Sequence, residues 1–428
     1  MAHPATAKDQ SRRALASRFA AVRADTRRLI AALGPEDMTL QSMPEASPAK
    51  WHLAHTTWFF ETFILIPHAP GYCAFNAAFA VLFNSYYQGI GPQWARAQRG
   101  QLSRPDVATV LAYREAVEQA VLAQIETAPS ALWRTLAPLL ELGINHEQQH
   151  QELLCTDIKH AFSLNPLLPA AMPGSPHESE HEAPAQTWIE GPEGLQTIGA
   201  AGTGFTFDNE HPSHKVYLTR YALASRPVTN AEFLAFIEDG GYRTASLWLA
   251  EGWERINTEG WHHPLYWTLT GDGWQEFALG GPMPLDRARP ACHLSAFEAA
   301  AFATWAGARL PTEAEWEAVA SAAWSKTAAN WLFSHPMGHP TAAGPEPGLQ
   351  QLAGDVWEWT QSAYGPYPGF APAAGAVGEY NGKFMINQLV LRGGSCLTPA
   401  GHCRPSYRNF FPAHARWQMS GIRLAKDL

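Results

Sequence analysis

Residues 163–186 run Ser-Leu-Asn-Pro-Leu-Leu-Pro-Ala-Ala-Met-Pro, pass through histidines and glutamates, and end in Pro-Ala-Gln. The stretch has no apolar period and prolines that stop helices and strands, so it reads as a linker and rules out one continuous core. Before it, apolar residues recur at helical spacing; after it, Gly, Pro and Trp punctuate short apolar segments. The chain is therefore expected to form two domains, 1–165 and 187–428, joined by 166–186. In a chain of 428 residues either part is long enough to bury its own core.

The first part reads as four helices. Residues 8–33 place Leu15, Phe19, Val22, Leu29 and Ile30 on one face. A second helix opens at Ser47-Pro48, with the serine as N-cap and the proline at the first helical position, and ends near Ile66 before Pro67. A third begins near Ser103-Arg104-Pro105-Asp106 and runs to about Glu126; the fourth covers 131–162. Residues 67–102 are an irregular crossover containing Phe83-Asn84-Ser85-Tyr86-Tyr87-Gln88. Four helices with one long crossover make a bundle, and bundles build metal sites from facing helices.

The fourth helix carries Gly143-Ile144-Asn145-His146-Glu147-Gln148-Gln149-His150-Gln151-Glu152-Leu153-Leu154. His146 and His150 lie four apart on one face, with Leu139, Leu142 and Leu153 near it, so both imidazoles are expected to look into the interior. They form a ready pair of metal ligands, although two histidines on an ordinary helix have the same spacing. A reactive metal centre needs a third ligand, and the bundle offers His52, His55 and His160. Trp51, His55, Trp58 and Phe59 share a stripe, which favours His55 and places His52 at its edge, as a support or rim residue; spacing alone leaves both open.

The net charge is −9 and no basic cluster stands out, which argues against nucleic acid and anionic membrane as partners. The N-terminus has no apolar leader and no run reaches membrane-spanning length, so a cytoplasmic protein is expected. Cys73, Cys155, Cys292, Cys396 and Cys403 are scattered and odd in number, so no disulfide framework is expected. The 17 tryptophans, mostly in the second half, suit a loop-rich domain held by buried indoles, or a pocket for a cationic ligand. Helices are expected over 229–239 and 295–306, with a third after Pro311-Thr312-Glu313; the remainder reads as short strands and long loops. The fold class is α+β in two domains.

Ser47-Pro48, Leu53-Ala54-His55 and His146-x-x-x-His150-x-Glu152 together resemble the DinB-like four-helix bundle of the sulfoxide synthases of ergothioneine biosynthesis. Phe207-Asp208-Asn209-Glu210, Arg226-Pro227-Val228-Thr229-Asn230, Arg309 to Glu317, Gly354 to Thr360 and Leu391 to Ser395 resemble their second domain, which has the formylglycine-generating-enzyme or C-type-lectin fold. The two motif sets in one chain are far more specific than either alone. The resemblance implies a mononuclear iron(II) held by His55, His146 and His150. It also implies an O2-dependent joining of a cysteine or γ-glutamylcysteine thiol to imidazole C2 of Nα-trimethylhistidine. Glu152, two residues past His150, points away from that ligand and reads as a supporting or salt-bridging residue.

Further roles follow from the same resemblance. Gln149 matches a contact to the histidine-derived substrate, and Arg96 and Arg99 match carboxylate-binding arginines, for which a guanidinium fork is suited. Tyr86 and Tyr87 match a branch with two adjacent tyrosines, either of which can deliver a proton. Adjacent side chains usually diverge, so one is expected to face the oxygen site and the other to brace it. Asn409, Phe410 and Phe411 match the segment that closes over the trimethylated substrate, with Phe410 facing the quaternary ammonium. Members that use γ-glutamylcysteine carry an acidic residue where this chain has Phe411, which tilts the expectation toward free cysteine. A formylglycine-generating activity needs a cysteine pair, but Thr398 stands at one position. A zinc-dependent thiol S-transferase is the rival for a three-histidine bundle, and it leaves the second domain unexplained.

Overall fold

The computed structural model describes residues 7–174, 179, 181–202, 204–335 and 338–428, with side chains from residue 11 onward. Part of the expected linker, residues 175–178 and 180, lies outside the described residues. The chain divides into two compact units, but not at a single cut. Met1–Leu164 with Ala374–Tyr380 make the first, and Asn165–Ala373 with Asn381–Leu428 make the second. Residues on either side of the undescribed gap are tied to the second unit: the Ala171 N–H donates to Leu279 O, and Arg226 Nε donates to Pro184 O.

The first unit is built on α1 (Ala7–Leu29), α2 (Ala49–Phe60), α3 (Val107–Thr127) and α4 (Ser130–Ser163). Every residue of α2 is buried. It packs on both α3 and α4 while α1 covers α4, so α2 has no solvent face rather than the single core stripe its spacing suggests. Beyond Phe60 the helix widens into one π-turn, Glu61–Leu65, and ends at His68. The Glu61 carboxylate accepts from Tyr72 Oη (2.8 Å), Phe75 N (2.8 Å) and Tyr113 Oη (2.6 Å), fastening the start of the crossover to α3.

Two start signals fare differently. Asp106 caps α3, its carboxylate accepting from Thr109 N at 2.8 Å. Ser47 does not cap α2: Pro48 is the extended cap residue, and the first helical carbonyl is its own, bonded by Trp51 N–H (2.9 Å). A proline fixed at φ −60 but ψ 145 cannot be a helical residue, so the helix starts one position later and frees Ser47 for other partners.

Gly143 sets how near α2 comes to α4. A Cβ there would lie 2.5 Å from Phe60 Cε1 and 3.0 Å from Phe59 Cε1. Gly143→Ala is expected to push the helices apart and cost about 1–3 kcal/mol, despite alanine's higher helix propensity. A thermal melt of the variant equal to or above wild type would contradict this.

The second unit collects short sheets around three capped helices. Of its strands, β1 (Trp188–Glu190), β2 (Tyr221–Ala224) and β7 (Ala425–Asp427) make a three-stranded sheet in the order β1-β2-β7. Strands β3 (Trp357–Ala363), β4 (Leu389–Arg392), β5 (Asn409–Phe411) and β6 (Ser420–Gly421) make a four-stranded sheet in the order β5-β4-β3-β6. The helices α5 (Asn230–Glu238), α7 (Ala296–Trp305) and α8 (Glu313–Ala323) each open with a capping box, Thr229/Glu232, Ser295/Glu298 and Thr312/Glu315. A further helix, α6 (Ala250–Glu259), was not legible because Trp and Gly interrupt its pattern; it ends on Gly260 at φ 69.

The motifs that carry the resemblance hold this unit together. Arg423 pairs with the Glu358 carboxylate at 2.7 Å, and Trp316 Nε1 donates to the same carboxylate at 2.5 Å, all three fully buried. Arg392 pairs with Glu317 (2.7 Å) and Glu313 (3.1 Å), and Arg309 with Glu315 (2.7 Å) and Asp427 (2.7 Å). None of the five cysteines forms a disulfide. No described helix is long and apolar enough to cross a membrane.

Candidate metal centre

His55 projects from α2, and His146 and His150 from α4. One ligand atom from each ring lies within 4.8 Å of the others, the only such cluster of metal-ligating side chains among the described residues. His55 and His146 are buried and His150 half-buried. His55 Nδ1 donates to Phe83 O at 2.6 Å, which leaves its Nε2 lone pair free; that atom lies 3.2 Å from His146 Nε2. Burial is the main cause that pushes all three imidazoles down, His146 to about 3, so each is neutral at physiological pH. Three neutral nitrogens crowded in a buried site fit a divalent metal of the first transition row, with positions left for other ligands.

The His55 ring sits in a stack: Trp51 lies near-parallel to it at 4.6 Å and Trp58 at 5.6 Å between ring centroids. Arg99 covers the Trp51 ring at 3.4 Å. The guanidinium is buried, donates to Ser47 Oγ at 2.9 Å, and has no hydrogen-bond partner for Nε among the described residues. Burial, then Arg96, pushes its pKa to about 9, so it remains a cation at neutral pH. Arg96 is different: it is exposed and donates to Glu45 O.

His52 stands behind the site. Its Nδ1 lies 2.8 Å from His150 Nδ1, and its Nε2 lies 3.0 Å from Asp157 Oδ2. His160 is at the far end of α4, bonded to Ser42 Oγ, and is not in the cluster. Glu152 is buried. Below the ligands, Glu147 joins Arg23 (3.0 Å), Arg114 and Thr26 Oγ1 (2.6 Å) in a closed buried network.

Tyr86 and Tyr87 do not diverge. Their rings stack at 4.7 Å and 29°. Asn84 folds the loop by accepting from Tyr87 N (3.0 Å) and donating to Tyr87 O (3.0 Å), so the backbone is not extended there and its alternation does not apply. Tyr87 is fully buried against Trp58 and Phe63, and burial, then Tyr86, holds its phenol well above the usual range.

Sequence reading missed Tyr380. It arrives on Ala374–Tyr380, where Glu379 accepts from Gln88 N (2.9 Å) and Gly89 N (2.7 Å). The Tyr380 ring is 5.5 Å from His146 and 6.4 Å from Tyr86, and its hydroxyl donates to Gln149 Oε1. No periodicity marks this segment. Asp157 was more discoverable, lying seven residues beyond His150 and so near the same helix face. In the second unit, Asn409, Phe410 and Phe411 form β5; Phe410 stacks on Tyr364 at 4.0 Å.

Comparison with known proteins agrees with this division of the chain. The DinB superfamily description matches residues 18–154, and the sulfatase-modifying factor enzyme 1-like domain matches residues 173–428. The hercynine oxygenase of Mycolicibacterium smegmatis is 32% identical, over 98% of this chain and 100% of its own. The chain belongs to the hercynine oxygenase family. The Mycobacterium tuberculosis hercynine oxygenase is 31% identical over 97% of this chain and 99% of its own. The formylglycine-generating enzyme of Streptomyces coelicolor is 30% identical but spans only 51% of this chain. A hercynine oxygenase family member is an oxidoreductase, and the resemblance drawn from the motifs of both halves holds, as does the DinB-like plus formylglycine-generating-enzyme-like architecture. Thr398 is buried and accepts from Ser395 N at 2.9 Å.

Proposed function

We propose that this protein is an O2-dependent iron(II) sulfoxide synthase joining the thiol of cysteine to imidazole C2 of hercynine, Nα-trimethylhistidine. The observation that carries the reading is the convergence of His55, His146 and His150 in a chain that relatives named hercynine oxygenase match from end to end. The balance is one thiol, one imidazole C–H and one O2 giving a C–S bond, one oxygen on sulfur and one water. Iron(II), held by the three nitrogens, would supply a place to gather both substrates and the redox chemistry that O2 requires.

The remaining work falls to the chain's own groups. Arg99, held by Ser47 and Trp51, is assigned to a substrate carboxylate, with exposed Arg96 as the second arginine. Gln149 is assigned to the histidine-derived substrate, and Asn409, Phe410 and Phe411 to its carboxylate and trimethylammonium group. Tyr86, Tyr87 and Tyr380 are the phenols available as proton donors, and burial keeps the Tyr87 proton in place until it is needed. Phe411 in place of an acid favours cysteine over γ-glutamylcysteine.

An oxygen electrode tests the whole reading. Iron(II)-loaded protein with hercynine is expected to consume O2 faster with cysteine than with γ-glutamylcysteine, and to yield a sulfoxide by mass spectrometry. No O2 uptake with either thiol would hand the site to the zinc thiol S-transferase reading. Phenylalanine at Tyr86, Tyr87 or Tyr380 is expected to divert product toward oxidised thiol without a C–S bond. An unchanged product ratio in all three variants would remove the phenol from the reaction.

A further inference from the structure

His52 and Asp157 match no motif that the proposed reaction uses, yet both are buried, His52 against the ligand His150 and Asp157 against His52. The proton positions follow from their partners. A carboxylate oxygen accepts, so Asp157 Oδ2 accepts a hydrogen bond from His52 Nε2–H across 3.0 Å. Neutral His52 then has only a lone pair at Nδ1, and across 2.8 Å it accepts from His150 Nδ1–H. His150 is left with its proton on Nδ1 and a bare Nε2, the tautomer needed to hold a metal through Nε2. The carboxylate is itself fixed: Asp157 Oδ2 also accepts from Ser47 N at 2.8 Å, and Ser47 Oγ accepts from Arg99. His55 reaches the same tautomer through the Phe83 carbonyl. Carboxylate and carbonyl partners of this kind orient ligand rings and raise their basicity, and removing one costs 10–100-fold in metal affinity.

We infer that Asp157 and His52 are positioning residues that set the tautomer and ring orientation of ligand His150, and so the metal affinity of the site. This rests on the metal-centre reading above, and the test separates the two. Full-length protein stripped of metal is titrated with Co2+ alone, reading affinity by competition with a chelator and ligand geometry by the visible d–d band. His52→Leu is expected to lose about 10–100-fold in Co2+ affinity and to shift the band. His52→Asn, whose side-chain oxygen reaches close to the place of Nδ1, is expected to recover most of the loss. Asp157→Asn keeps an acceptor for His52 and Ser47 and is expected to bind more tightly than Asp157→Leu. A purely space-filling role would not rank the asparagine variants above the leucine ones. Wild-type affinity and band in His52→Leu, or no recovery in His52→Asn, overturns the inference. Should His52→Leu not fold, equal affinity in the two Asp157 variants overturns it instead. His150→Ala is the control: if it binds Co2+ as wild type does, the metal centre itself is wrong, whereas a loss there with His52→Leu unaffected removes only the relay.

Discussion

Alanine in place of His55, His146 or His150 is expected to leave the purified protein without stoichiometric iron and without hercynine-dependent O2 uptake. Two remaining imidazoles hold a labile ion weakly, and the buried position of the rings offers no substitute carboxylate: Glu147 is engaged by two arginines and Thr26. The loss in turnover is expected at about 10³-fold or more, roughly 4 kcal/mol of barrier. His52→Ala is expected to differ in kind, retaining iron at saturating metal with weaker affinity. Elemental analysis after gel filtration decides the point. Wild-type iron content in any of the three ligand variants would refute the assignment.

The second large effect is on stability. Glu147→Leu is expected to cost about 3–5 kcal/mol, because buried Arg114 would lose its paired carboxylate and buried Arg23 would keep only Glu118, at 3.6 Å. Chemical denaturation of the metal-free protein measures it, and a cost below about 1 kcal/mol would show that the network is not closed as described. The same group sets an acid limit. Burial opposes its ionised form, but Arg114 and Arg23 overcome that and hold its pKa at about 2, against an ordinary 4.5. The folded pKa is depressed, so the unfolded chain binds more protons as pH falls. The stabilisation is fully present above about pH 4.5 and is lost as pH falls toward 2. That difference corresponds to about 3 kcal/mol, and Glu147→Gln is expected to flatten the acid limb of the stability curve.

The legible part of the site was the part written in helical periodicity. His146 and His150 are four apart, and His52 and His55 are three apart, so both pairs could be placed on faces before any packing was known. The helices themselves were equally plain, because Asp106, the three capping boxes and the apolar repeats are local signals. Ser47 misled for the opposite reason. Its serine–proline pair is a good cap signal, but Asp157 and Arg99 from distant segments claimed it. Tyr86 and Tyr87 misled because a side chain, Asn84, sets the loop's course there and no periodicity reports that.

Residue order alone thus determined the two-part architecture, the helices of the bundle and the pool of histidines from which a metal centre is drawn. These depend on interactions within a few turns of chain, where spacing is equivalent to position. Only the tertiary structure decided which histidine completes the cluster and which one stands behind it, that Arg99 and not Arg96 is buried beside the His55 stack, and that Tyr380 comes to lie by His146. Each of those depends on contacts between segments tens to hundreds of residues apart. Close packing such as that of Gly143 on Phe60 settles them, and no local pattern encodes it.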